Sequence, residues 1–259
     1  MHAPSRRPAL ATTLGTALVV ALVSSATLAQ PEPTPVTLTT TDSVRIAAFW
    51  FDVHRPGAPA ALLLHDTGAN HFVWQSLWTE MTRSGINVLA LDLRGHGQSR
   101  QLDPKVYEQL TARDQSVYHA MVLDAEAGLR FLNEQHIPPG KTVLVGSELG
   151  SSIALQAMSR NPRLRAAVVL TPGMNYFGIP TLEHVKKYGK RPLLLITMKP
   201  DLFAGAQQIV DALGDDPGVK LQLYPKIEGS RGTQMLRLPL RIHALIVDWL
   251  VNTVELKKR

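Results

Sequence analysis

The chain has 259 residues, 45% hydrophobic and 19% charged, which suits one sizeable core and leaves too little length for two full domains. It contains no cysteine, which excludes disulfide frameworks, thiol nucleophiles, zinc ribbons and iron–sulfur ligation. The formal charge is +6, but no basic run exceeds Lys257-Lys258-Arg259, so nothing points to nucleic acid.

Residues 1–29 read as a secretory leader. Arg6 and Arg7 come first, then an uncharged stretch from Ala9 to Gln30 with an apolar centre from Leu14 to Val23 and small residues up to Ala29. Ser5-Arg6-Arg7 faintly resembles a twin-arginine signal. The stretch is long enough to span a bilayer, but Thr12, Thr13, Gly15, Thr16, Ser24 and Ser25 argue against an uncleaved anchor. The expectation is an exported protein, periplasmic or secreted, which meets the membrane only if the leader stays attached. A proline-rich linker at 30–35 then leads into one domain at 36–259.

Along that domain, short apolar runs alternate with helical patterns. Ile46 to Val53 reads as an early strand. Ala61–Leu64, Val88–Leu91, Val143–Val145, Ala167–Leu170 and Leu193–Ile196 follow, with Val219–Tyr224 as the last strand. Runs apolar on both faces suit a parallel sheet covered by helices on both sides. Phe72 to Arg83 and Leu149 to Arg160 have helical periodicity. Tyr118, Met121, Val122, Ala125, Leu129 and Leu132 form one apolar stripe, and Ile242, Leu245, Ile246, Trp249 and Val254 another. The alternation predicts a three-layer α/β domain. Gly173 to Lys190 leaves little room for a lid.

Three segments carry more than fold class. They are Leu91-Asp92-Leu93-Arg94-Gly95-His96-Gly97-Gln98-Ser99 after a strand, Gly146-Ser147-Glu148-Leu149-Gly150 between a strand and a helix, and Tyr176 to Ile196 leading through Arg191-Pro192 into a late strand. In this order, across roughly residues 45–255, they resemble the α/β-hydrolase superfamily, in particular its small lidless esterase-like and dienelactone-hydrolase-like members. The resemblance implies the three-layer α/β-hydrolase fold, a mostly parallel sheet and no large lid. It also implies a nucleophile on a sharp strand-to-helix turn, whose flanking glycines let two backbones approach.

Carried onto this chain, the nucleophile position is Glu148, the acid position Asp201 and the base position Arg231, in Arg231-Gly232-Thr233-Gln234-Met235-Leu236 where relatives often have His-Gly-Thr. Ser147 stands one residue too early on the turn to replace the nucleophile. Asp201 also suits a helix cap. The oxyanion hole would use the backbone N–H groups of Leu149 and Thr67, in a loop that reads His65-Asp66 where relatives have His-Gly. Arginine has no lone pair to accept a proton and cannot be the general base. An ester formed on Glu148 would therefore lack a residue to activate water. His65, His96 and His243 read as structural, no metal-ligand spacing is present, and no cofactor motif is found.

The expected function is an exported protein whose triad is degenerate, without efficient ester hydrolysis, binding a small-molecule ligand or a partner. The alternative is a hydrolase that uses Glu148 as nucleophile or base. Arg231 is expected within salt-bridge reach of Glu148, Asp201 or both, filling the former catalytic pocket.

Overall fold

The computed structural model of the chain describes residues 31–199, 203–216 and 218–254. The expected leader at 1–29 and the candidate acid Asp201 lie outside the described residues.

Among the described residues, eight strands form one sheet. They are β1 (Thr34–Thr39), β2 (Arg45–Phe51), β3 (Ala60–Leu64), β4 (Asn87–Leu91), β5 (Thr142–Ser147), β6 (Ala166–Leu170), β9 (Leu193–Met198) and β10 (Val219–Tyr224). Two further strands, β7 (Asn175–Tyr176) and β8 (Ile179–Pro180), make a separate small hairpin. The order across the sheet is β1-β2-β4-β3-β5-β6-β9-β10. β2 runs antiparallel to both β1 and β4, and every other pair is parallel.

The helices are α1 (Gln75–Arg83), α2 (Ser99–Leu102), α3 (Pro104–Thr111), α4 (Gln115–Ala120), α5 (Val122–Glu134), α6 (Leu149–Arg160), α7 (Thr181–Val185), α8 (Phe203–Leu213) and α9 (Ile242–Thr253). Short 3-10 helices lie at His71–Trp74, Pro139–Lys141 and Gly232–Arg237. Among the described residues, no helix is long and apolar enough to cross a membrane.

The continuous apolar strands feed two cores. Leu62 and Leu64 pack with α5 and α6 on one face of the sheet, while Ala61 and Leu63 pack with α1 and α9 on the other. Alternate side chains of one strand point to opposite faces, so a run buried on both sides must be apolar throughout. Burying each such leucine contributes roughly 1.5–3 kcal/mol.

Two features differ from the sequence reading. β1 starts at Thr34, inside the stretch expected to be linker at 30–35, because Thr34 to Thr39 pairs along its length with β2. The stripe from Tyr118 to Leu132 is divided between α4 and α5, with a tightened turn at Met121 whose carbonyl accepts the Asp124 N–H at 3.1 Å.

The first of the hydrolase-like segments is held by buried charge. Asp92 accepts from the His71 N–H, His71 Nδ1 and the Gln98 N–H at 2.7–2.8 Å. A Cβ on Gly97, whose φ is +45°, would collide with that carboxylate. Arg94 bonds Asp124 through Nε and its own N–H, both at 2.8 Å, and reaches Asp42 through Nη1 at 2.7 Å. The network ties the turn after β4 to α5 and to the β1–β2 hairpin.

Among the described residues, no large cap covers the C-terminal end of the parallel strands. α2 to α4 occupy the connection after β4, and the β7–β8 hairpin with α7 occupies the one after β6. The two inserts meet where the Tyr118 and Phe177 rings stack at 4.0 Å.

Candidate active site

The site is built from the turn between β5 and α6. Glu148 stands at its apex with φ 48° and ψ −111°, a conformation that an L-residue adopts only when its surroundings force it. The surroundings are the two glycines. A Cβ on Gly146 would collide with the Gly150 carbonyl, and one on Gly150 with the carbonyl of Leu64. Backbone bonds fix the turn at both ends: the Glu148 N–H donates to Leu170 O at 2.9 Å, and the Ser151 N–H donates to Glu148 O at 2.9 Å. Ser151 Oγ adds bonds to the carbonyls of Gly146 and Leu170 at 3.0 and 3.1 Å. This is a sharp strand-to-helix elbow held by two glycines, with the Glu148 carboxylate at its apex.

Arg231 reaches the elbow from the loop after β10. Its Nε lies 2.9 Å from Glu148 Oε1. The Glu148 side chain is 11% exposed and that of Arg231 is 61% exposed. The expected ion pair is therefore present but open to solvent, and the guanidinium does not fill a closed pocket. Neighbours hold the arginine's backbone in place. The Gly232 N–H donates to Thr171 Oγ1 at 2.9 Å, and a Cβ on Gly232 would come within 2.6 Å of Ser147 Oγ and 3.1 Å of Glu148 Cγ. Only glycine fits between Arg231 and the elbow.

A second carboxylate stands beside the first. Asp66, two residues beyond β3, accepts from Thr233 Oγ1 at 3.0 Å through Oδ2. Its Oδ1 is buried without a hydrogen bond, as is Ser147 Oγ. In the sequence Asp66 stands where relatives have a glycine in the oxyanion loop, and with His65 and His71 it matches no recognised metal-ligand spacing. The available signal was its position, since β3 is the neighbour of β5 and both end beneath the elbow.

Burial raises the pKa of Asp66, and the Ser147 and Thr233 hydroxyls and the Arg231 charge only partly offset it. The Ser147 dipole eases the Asp66 charge even without a well-formed hydrogen bond. Burial also raises Glu148, the Asp66 charge raises it further, and Arg231 works the other way. Tyr176, whose hydroxyl donates to Thr171 O at 3.4 Å, is pushed up to about 12 by burial and by the Glu148 charge.

The other expected residues are placed as follows. Leu149 is buried at the first position of α6, where its N–H has no intrahelical acceptor. Thr67 is exposed in a turn closed by the Ala69 N–H on Asp66 O at 3.1 Å. Ser147 is fully buried in the floor rather than presented at the apex.

His65 is buried and pinned at both nitrogens. Nε2 accepts the Leu93 N–H at 3.0 Å, so Nδ1 carries the proton and donates to Asp66 O at 2.7 Å. Burial, with His96 beside it, holds its pKa down at about 3. His96 is likewise engaged, through Nδ1 with Arg94 O at 3.0 Å. His243 packs on α9 against Glu80 of α1, with Nε2 3.1 Å from Oε1. Among the described residues, no three His, Cys, Asp or Glu side chains cluster as a metal site.

Beside Arg231 a cleft of about 280 Å³ opens, lined by Met198, Lys199, Lys226, Ile227, Gly229, Ser230 and Arg231.

Comparison with known proteins agrees with this architecture. Residues 59–227, more than half of the chain, match the family described as serine aminopeptidase, S33. An esterase of Pyrococcus furiosus superposes with a TM-score of 0.67 at 18% identity, covering 86% of this chain and 92% of that one. A dienelactone hydrolase of Anabaena variabilis gives 0.67 at 16% identity, covering 86% and 99%. An uncharacterized protein of Rickettsia prowazekii is 26% identical over 137 residues, 51% of this chain and 52% of that protein, so the chain spans about half the length of the curated relative it matches. The strand order, the strained elbow with its two glycines and the family match converge on one assignment: the chain belongs to the serine aminopeptidase S33 family of the α/β-hydrolase superfamily.

Proposed function

We propose that this α/β hydrolase has lost acyl transfer at the elbow and binds a small molecule there. The observation that carries this reading is the ion pair between Arg231 and the apex residue, Nε to Oε1 at 2.9 Å. A guanidinium stays protonated at any ordinary pH, so it cannot take a proton from a nucleophile or from water. A carboxylate at the apex competes for the donors that would stabilise an oxyanion and repels its developing charge. The leader read at 1–29 makes export part of the proposal. Mass spectrometry of the exported protein should find Met1 and His2 missing, and finding them intact would favour an anchor.

A second reading has one observation in its favour. Asp66, raised by burial and close to Glu148, is a base that would activate water against an ester formed on Glu148. Short-chain ester assays separate the two. On the first reading the wild type is inert, Glu148→Ser alone gains little, and Glu148→Ser with Arg231→His exceeds either single change, because triad members act as a unit. Wild-type turnover that disappears in Glu148→Ala and in Asp66→Asn would establish the second reading and overturn the first.

A further inference from the structure

We propose that two copies of this chain join along β10, pairing antiparallel about Leu221, so that their two sheets run on as one. This goes beyond the reading of the elbow and does not depend on what binds there.

β10 is the last strand of the sheet, and among the described residues only β9 pairs with it. Open edges are usually blunted by proline, charge or a bulge. β10 has no proline before Pro225 and carries one charge, Lys220. Val219, Leu221 and Leu223 are only half-buried along it.

The bonds to β9 show which groups face outward. The Leu193 N–H donates to Gly218 O at 3.0 Å, and the Lys199 N–H donates to Tyr224 O at 2.9 Å. A strand residue points its N–H and C=O to one side, and the next residue points them to the other. Residues 218, 220, 222 and 224 therefore face β9, and 219, 221 and 223 face outward. The Val219 N–H is already engaged with Asp216 O at 3.0 Å. What remains outward is the N–H of Leu221 and Leu223 and the C=O of all three residues.

That set complements itself. With Leu221 opposite Leu221 of the second copy, each Leu221 N–H donates to the other's C=O. Each Leu223 N–H donates to the Val219 C=O of the other copy. The engaged Val219 N–H is not called on. The side chains fit the same alignment. Leu221 meets Leu221 and Val219 meets Leu223 on one face, while Lys220 stands opposite Gln222 on the other. Centring the axis on Lys220 would oppose the two lysines, and centring it on Gln222 would set Val219 against Pro225, outside the strand.

Sedimentation equilibrium of the purified protein over a range of micromolar concentrations at low salt tests this. The wild type should dimerise. Leu221→Pro removes an outward N–H that β9 does not use, and should leave a monomer. Gln222→Lys sets a lysine opposite each Lys220 and should weaken the dimer roughly tenfold through two like-charge pairs. Adding Lys220→Glu turns both pairs into attractive ones and should restore the dimer.

A wild type that stays monomeric would overturn the proposal, as would a dimer that survives in folded Leu221→Pro protein. If that variant fails to fold, the charge swap decides. A dimer indifferent to Gln222→Lys, or one that Lys220→Glu does not rescue, would overturn the pairing about Leu221.

Discussion

The strained backbone at Glu148 can be measured directly. At φ 48° and ψ −111° the residue occupies a region that is costly for any side chain with a Cβ, typically by about 1–3 kcal/mol. Glycine removes that penalty but adds freedom to the unfolded chain, worth about 0.4–1 kcal/mol. Glu148→Ala is the proper reference, because it deletes the carboxylate and its ion pair while keeping the Cβ. Glu148→Gly should therefore be more stable than Glu148→Ala by about 1–2 kcal/mol, which for a chain of this size is about 2–8 °C in Tm. Differential scanning calorimetry at pH 7 reads the difference.

The alanine variant set against the wild type carries a pH test. Burial and the Asp66 charge raise the folded-state pKa of Glu148, so the native state binds more protons than the unfolded one between the ordinary carboxylate range and the raised value. Wild-type stability should fall as pH climbs through that window. The advantage of Glu148→Ala over the wild type should accordingly be larger at pH 7 than at pH 4. A glycine variant no more stable than the alanine variant would refute the strain argument, and an alanine advantage that shrinks with rising pH would refute the electrostatic one.

Other expectations follow from the same geometry. A thermal cycle of Glu148→Gln, Arg231→Met and the double variant should give a coupling of only about 0–1 kcal/mol, because the arginine is largely exposed; a clearly larger value would mean a buried pair. Gly150→Ala drives a Cβ into the Leu64 carbonyl and should lose more than about 4 kcal/mol or fail to give soluble protein, and a near-normal melting curve would contradict the close approach. Arg94→Met should lose roughly 3–5 kcal/mol in urea titration by stranding the buried Asp124 carboxylate, and adding Asp124→Asn should recover part of it.

Much of this molecule was legible in its residues. Strands such as Ala61–Leu64 and Val143–Val145 are apolar on both faces because helices cover both, so their identity depends on composition alone. The elbow was legible because Gly146 and Gly150 answer to steric contacts that hold whatever residue sits at 148. β1 was hidden because Thr34-Pro35-Val36-Thr37 has few apolar residues, and an edge strand with one partner needs few. Asp66 was hidden for a different reason. It joins Glu148 and Arg231 only after β3 is set beside β5, and no spacing along the chain records that adjacency.

The locked ring of His65 has a spectroscopic corollary. With both nitrogens occupied and its pKa held near 3, this imidazole should show one tautomer's nitrogen shifts from pH 5 to 9 and contribute no inflection to a pH–rate profile in that range. In an Arg231→His protein, a titrating imidazole resonance absent from the parent spectrum would then belong to the introduced ring. Its midpoint, compared with the acid limb of any new turnover, would tell whether that ring is the base.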